Sequence, residues 1–202
     1  MYTPKHFLAP AQETLLKILP DASFAILVTV DGDGVPVVSH LPVRYDPAEG
    51  EFGIVRGHLA RANPHCKLLG ERPSLVIFNG PHIYVSPRDY ASNVNVPTWN
   101  YVAVHAHGQA QILEDPADVR RVLDGLTEDN EKYRENPWSL DEFEEKRAAA
   151  MMKAIVAFQI PISRLDAKAK LGQNKSVEDQ AALKKAASGT DIESWQIEGT
   201  SL

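Results

Sequence analysis

The chain has 202 residues, 44% hydrophobic and 24% charged, a globular composition that excludes whole-chain disorder and leaves room for one core with an appended helix or two. Twenty-one Lys and Arg against 27 Asp and Glu give a net charge of −6, which disfavours a generic duplex-DNA binder, because nonspecific affinity comes from neutralised phosphates. Cys66 is the one cysteine, so an internal disulfide and multi-cysteine metal or iron–sulfur centres are excluded, and no apolar run approaches the ~18 residues of a membrane span.

Pro4, Lys5, Pro10, Glu13 and Lys17 break any signal-peptide core near the start, so a soluble, cytoplasmic setting without membrane contact is expected. Pro10 to Leu19 predicts a short helix with Leu15, Leu16, Ile18 and Leu19 on one side, stopped by Pro20. Ser23 to Val30 reads as a buried strand, and Asp31-Gly32-Asp33-Gly34 as the hairpin turn into a partner strand over Val35 to Tyr45. A third strand is expected near Glu51 to Arg56. Asn63 as cap and Pro64 at the first helical position start a short helix ending near Gly70.

Ser74 to Phe78 and His82 to Val85 are two further strand candidates, parted by Asn79-Gly80-Pro81. Ser86 to Pro97 reads as a loop, at a length where loops begin to suggest function. Asn100 to Leu113 alternates, with Val102, Val104 and Ala106 on one face and His105 and His107 on the other. Helices are expected from Pro116 to about Tyr133 and, from the Ser139/Glu142 capping box, from Leu140 to Met152. Ile155 to Ile160 is a last core strand. Ser176 caps a final helix ending near Gly189, acidic early and basic late. Strands in antiparallel order with inserted helices predict a mainly β (α+β) antiparallel barrel rather than a doubly wound parallel sheet.

Among groups that carry chemistry, Cys66 lies beside His65 in a predicted helix, where neighbours do not face each other, so it reads as a small buried hydrophobe. His105 and His107 share a strand face and could grip a metal, but Gln109 and Gln111 stand where a carboxylate ligand would be needed. Two polar histidines lining a barrel or an interface is the plainer reading. His6, His40, His58, His65 and His82 show no ligand spacing.

Gly57-His58-Leu59-Ala60-Arg61-Ala62-Asn63-Pro64 joins a strand end to a helix start. Such a junction offers free N–H groups, a guanidinium fork from Arg61 and close backbone approach at Gly57. On local pattern alone, Arg61 reads equally as a surface cation near a cap. Pro97 to Tyr101 sets two aromatics and Asn100 at a strand mouth, and Lys170 to Lys175 is a polar, basic loop. Rings can stack on planar ligands and amides can read their edges; core packing and a solvated turn are the alternatives.

Taken together, six strings resemble one family: MYTPKHF at Met1 to Phe7, SHLP at Ser39 to Pro42, GHLARANPH at Gly57 to His65, VIFNGPHIYVSP at Val76 to Pro87, VPTWNYVAVHAHG at Val96 to Gly108 and KLGQNKS at Lys170 to Ser176. In order and over nearly the whole chain they are similar to the PaiB family of FMN-binding negative transcriptional regulators. The resemblance implies an FMN-binding split β-barrel of the pyridoxamine-phosphate-oxidase-like kind, homodimeric, with flavin at the dimer interface. It implies a barrel domain over 1–166 and a C-terminal loop and helix over 167–202.

Carried over residue by residue, the resemblance lays Ser39, His40, Leu41 and Pro42 along the flavin ring. Gly57, His58, Leu59, Ala60 and Arg61 cradle the phosphate, with Arg61 as chief cation. Trp99 and Asn100 close over the cofactor, and Gln173, Asn174 and Lys175 approach from the C-terminal region. The chain departs from the family strings at Gly172, where Ser is usual, and at Ser86 to Tyr90, where an aromatic is usual. The readings carried forward are an FMN-binding regulator, a flavin-dependent NAD(P)H oxidoreductase, and a haem binder using His105 or His107. Arg120-Arg121, Lys146-Arg147 and Lys184-Lys185 are short basic pairs among acids, so DNA contact, though possible for a regulator, has no support from charge.

Overall fold

The computed structural model describes residues 1–198. They form two compact units that interleave along the chain. The first takes Met1–Ala22, Phe78–His105 and the residues from Asp166 onward; the second takes Ser23–Ile77 and Ala106–Leu165. Seven strands run through them: β1 (Phe24–Val30), β2 (Pro36–Asp46), β3 (Ile54–Ala60), β4 (Pro73–Val85), β5 (Thr98–Gln109), β6 (Gln111–Leu113) and β7 (Ile155–Lys170). Their order is β3-β2-β1-β4-β5-β7-β6, and β3 also pairs with β7, so the sheet closes on itself. The pairings of β1 with β2 and β4, of β2 with β3, and of β7 with β3 and β6 are antiparallel. This is the antiparallel, barrel-like sheet that the alternating pattern predicts.

Helices α1 (Ala11–Ala22), α2 (Pro116–Glu131), α3 (Glu145–Lys153), α4 (Val177–Ala186) and α5 (Glu193–Glu198) complete the fold. Among the described residues no helix is long and apolar enough to cross a membrane. In the second unit, alternation along β2 buries Ser39, Leu41, Val43 and Tyr45 and turns Val38 and His40 outward. Leu27, Val55, Val76, Phe158 and Ile160 complete that core. The predicted inward face of β5 holds, with Val102, Val104 and Ala106 buried.

Several local signals read as expected. Asp31 accepts from the N–H groups of Asp33 and Val35, and Gly34 supplies a positive φ of 84° for the hairpin. Asp115 caps α2 through Ala117 N, Glu142 accepts from Ser139 N, and Ser176 caps α4 through Asp179 N.

Tertiary packing moved other boundaries. Helix α1 passes through Pro20 to Ala22, because in a last turn proline forgoes only one N–H. The third strand begins at Ile54 rather than Glu51. Gly53, at φ 86°, and the Tyr45 hydroxyl bonded to Phe52 O hold Glu51 and Phe52 in the turn. The two strands expected around Asn79-Gly80-Pro81 are one, β4. A Cβ on Gly80 would come within 3.0 Å of Ile18 and 3.1 Å of Val102, so this glycine serves close approach inside a strand rather than a turn.

The helix expected from Leu140 is a single turn at Leu140–Glu142 followed by α3. The last strand continues past Ile160 to Lys170. The final helix stops at Ala186, and α5 follows.

Candidate functional site

In the second unit, the SHLP strand and the GHLARANPH corner are tied together by three side chains. Asn63 donates from Nδ2 to Ser39 Oγ (3.1 Å) and accepts from His65 N (3.0 Å). Ser39 Oγ lies 2.9 Å from His65 Nδ1. The Asn63 cap was legible in the sequence; its second bond, back to β2, was not. His65 is fully buried and its Nε2 has no partner. The predicted helix here is only one turn, Pro64–Lys67, so peptide dipoles add little and the charge of the corner rests on Arg61.

Arg61 is held by the chain itself. Its N–H bonds to Ala154 O, its Nε donates to Lys153 O at 2.7 Å, and its Nη2 donates to Ile155 O at 2.6 Å. Two neutral carbonyls orient the guanidinium without neutralising it, and no carboxylate among the described residues pairs with it. Arg61 opens on a cleft of about 380 Å³ with Lys153, Glu114, Ile112, Val119, Met152 and Ile155 in its lining. Lys153 is a second cation there that sequence reasoning missed; nothing in a lysine at a helix end distinguishes it until β3 and β7 pair.

The rest of the corner divides by strand alternation. Leu59 is buried, and Ala60 is exposed with its carbonyl accepting from Cys66 Sγ. Gly57 faces inward: a Cβ would meet Phe158 and Val43 at 3.3 Å and Leu41 at 3.4 Å. A side chain here would press on the core, so Gly57 is closely packed. His58 lies on the other face, and its Nδ1 is buried without a partner. On the ring side, Leu41 is buried and Pro42 half-buried, while His40 stacks on Phe24 with centroids 6.4 Å apart.

The remaining candidates belong to the first unit. Trp99 is 52% exposed. Asn100 is 2% exposed and its amide donates to Gln196 Oε1. Gln173 closes its own loop, accepting from Leu171 N and donating to Ala169 O. Asn174 is exposed. Lys175 donates to Asn95 Oδ1 at 2.6 Å, and Asn95 in turn donates to the buried carboxylate of Asp179. Asp179 also accepts from the backbone and hydroxyl of Ser92. These bonds hold the carboxyl below its usual range and pin the Ser86–Pro97 loop.

Cys66 is half-buried rather than buried, and burial pushes its thiol up. His107 Nε2 lies 2.7 Å from Arg164 Nη2. Guanidinium can only donate, so this nitrogen is the acceptor and is already engaged. Among the described residues no three His, Cys, Asp or Glu side chains gather as a metal site.

Burial lowers the basicity of both His58 and His65 from the ordinary 6.5. The unfolded chain then binds more protons than the folded one below that pH, so stability falls as pH falls. Thermal melts between about pH 8 and pH 5 are expected to be flat above about 6.5 and to decline below it. A His65→Phe variant should show a shallower decline, and an identical slope would remove His65 from the account.

A family model described as "Putative FMN-binding domain" matches residues 1–164. "Protease synthase and sporulation protein PAI 2" of Bacillus subtilis is 36% identical over 180 residues, covering 89% of this chain and 85% of that protein. Two solved structures share the fold. The FAD- and haem-binding protein of Mycobacterium smegmatis has TM-score 0.58 and 21% identity, over 89% of this chain and 80% of that one. The flavocytochrome Anf3 of Azotobacter vinelandii has TM-score 0.56 and 22% identity, over 83% and 72%. With its closed antiparallel sheet and a match spanning most of its length, the chain belongs to this FMN-binding-domain family, as the six strings of its sequence implied.

Proposed function

We propose that the protein binds FMN, with the phosphate at Arg61 and Lys153 and the ring along Ser39 to Pro42, in a homodimer with regulatory output. The observation that carries this reading is the Arg61 guanidinium. It is fixed by two carbonyls, makes no direct ion pair with a carboxylate among the described residues, and is set with Lys153 on a mostly apolar cleft whose lining also holds Glu114. Such a cleft with few polar groups is the usual form of a small-ligand site. The partnerless Nδ1 of His58, on the same corner, also fits a ligand that brings polar oxygens. When bound, FMN supplies redox chemistry at its ring. The chain's part is to position it: β2 carries the ring-side residues, and Ser39, Asn63 and His65 keep β2 in register with the Arg61 corner.

A second copy of the chain is the proposed occupant of the outer face of β1 and β2. There Phe24 is 65% exposed and Val38 50%, with Val30 and Val35 also exposed. The register sets Phe24 opposite Pro42 and Val28 opposite Val38. Contiguous apolar surface of this kind marks an interaction site. Direct DNA contact is not part of the proposal. Arg120 is paired with Asp124 and Asp141, and Arg121 with Asp118, so this basic pair is neutralised by acids of α2 and of the turn at Leu140–Glu142.

Titration of the purified protein with FMN, followed by flavin fluorescence and light scattering, tests both parts. Saturable binding to a dimer is expected, with Val38→Glu shifting the dimer towards monomer. A stable flavin-loaded monomer would remove the dimer, and absence of saturable binding would remove the cofactor.

A further inference from the structure

In the second unit, the stretch of β2 from Ser39 to Pro42 is paired on one edge only. Strand β2 pairs with β1 along Pro36–Pro42, but with β3 only from Val43 to Asp46. β1 and β3 are its two neighbours in the sheet. What ties this stretch to the Arg61 corner is therefore the contact of Ser39 with Asn63 and with His65 of the turn Pro64–Lys67.

The protons of this knot can be assigned from its donors. The backbone N–H of His65 can only donate, so Asn63 presents Oδ1 to it and Nδ2 to Ser39 Oγ. The hydroxyl's own proton then has one partner left among the described residues, His65 Nδ1 at 2.9 Å. His65 thus accepts at Nδ1, carries its proton at the partnerless Nε2, and is neutral. A second proton would go to Nδ1. It would turn the bond round, leave the Ser39 hydroxyl without an acceptor, and set a full charge on a ring that is 0% exposed. An orphaned donor and an unpaired buried charge are both costly.

Among the described residues no carboxylate pairs with His65 to offset that cost. On β2, which packs against the turn, His40 is turned outward onto Phe24, Arg44 pairs with Glu128 and Asp129, Tyr45 bonds to Phe52 O, and Asp46 pairs with Arg56. On β3, to which Cys66 bonds through Ala60 O, Arg56 is engaged in that pair and with Glu49, and His58 stands with its Nδ1 buried. On the corner and the turn, Arg61 is clamped by carbonyls, Lys67 is exposed, and burial keeps the Cys66 thiol protonated. Burial is the one cause of the lowered basicity of His65.

We propose that His65 is a positioning residue for the flavin: in its neutral form it accepts from the Ser39 hydroxyl and so fixes the Ser39–Pro42 stretch along which the ring lies, and on protonation it lets that stretch go. FMN then selects the neutral form. Lower pH weakens FMN, and by reciprocity bound FMN holds the second proton off His65. This rests on the FMN reading and adds to it a residue that acts on the cofactor only through Ser39.

The test is flavin-fluorescence titration of the full chain with FMN and with riboflavin, between about pH 8 and pH 5. Riboflavin has no phosphate, so its pH dependence is free of phosphate titration. His65→Asn sets an amide oxygen near the place of Nδ1, which keeps the acceptor and removes the titration; His65→Phe keeps a ring and removes the acceptor. At the upper pH, FMN should bind the His65→Asn protein within about threefold of the natural chain and the His65→Phe protein about tenfold more weakly. On acidification the natural chain should lose about tenfold more affinity for both flavins than the His65→Asn protein, in which His58 still titrates. Without flavin, hydrogen-exchange protection of the His40 and Leu41 amides should fall in acid in the natural chain and hold in the His65→Asn protein. Equal acid losses of affinity in the two proteins, or unchanged protection of β2 in the natural chain, overturn the proposal and leave FMN binding at the upper pH standing. A folded His65→Phe protein with unaltered FMN affinity also overturns it. No saturable FMN binding by the natural chain at the upper pH removes the cofactor reading, and this inference with it.

Discussion

Arg61→Ala is expected to bind FMN about ten- to a hundredfold more weakly than the natural chain, matching the ~1.5–3 kcal/mol of a hydrogen bond to a charged group. Arg61 has two jobs in the structure, and the experiment must part them. Its Nε and Nη2 hold the carbonyls of Lys153 and Ile155, so alanine also frees two backbone acceptors where α3 meets β7. Some thermal stability is lost for that reason alone. Lys153→Ala keeps the clamp, because only the Lys153 carbonyl takes part in it, and removes the second cation of the cleft. It should weaken FMN by a smaller factor with little change in melting temperature. Fluorescence titration of both variants, each first shown to be folded by circular dichroism, reads the difference. A folded Arg61→Ala protein with unaltered affinity would leave Arg61 with its structural role only.

Phe158→Ala is expected to cost about 3–5 kcal/mol, the range for emptying a large aromatic from a packed core. Phe158 is fully buried. On β7 it stands opposite Gly57 of β3 and Ile112 of β6, and its ring edge fills the space a Cβ at Gly57 would claim. That cost is a large share of the ~5–15 kcal/mol by which a domain is stable, so chemical denaturation should show a much lower midpoint or an unfolded product. Gly57→Ala alone should destabilise by overpacking. Added to Phe158→Ala, it should recover part of the loss, because its methyl enters the vacated volume. Strictly additive losses would mean that Gly57 is kept for something other than this contact.

The two predictions also mark how much of the molecule was legible from residues alone. Local signals carried well, because each is completed within a few residues. The Asp31–Gly34 hairpin, the Asp115 and Ser176 caps, the alternation that buries Val102 and Val104, and the Asn63 cap all needed only near neighbours. Signals that read two ways locally misled. Asn79-Gly80-Pro81 has the composition of a turn, yet Val102 and Ile18 make Gly80 a point of close approach in a continuous strand. Gly57 reads as room for a phosphate, and the structure adds a packing contact that its neighbours in sequence do not announce.

Nothing within a few residues of Lys153, His65 or Lys168 announces what they do. Each depends on a partner far along the chain: Arg61 beside Lys153, Ser39 beside His65, Tyr2 and Tyr101 around Lys168.

By itself, then, the sequence determined the class of fold and the family through its six strings, and it singled out Arg61 as a candidate cation at a strand-to-turn corner. Only the tertiary structure decided that Arg61 is clamped by the carbonyls of Lys153 and Ile155, that Asn100 is turned to Gln196, and that Ser39 meets His65. The physical reason is range. Caps, turns and alternation are satisfied within a few residues, whereas the partner of a buried donor or an oriented charge is set by which distant strands pair, and that choice is made by the packing of the whole core.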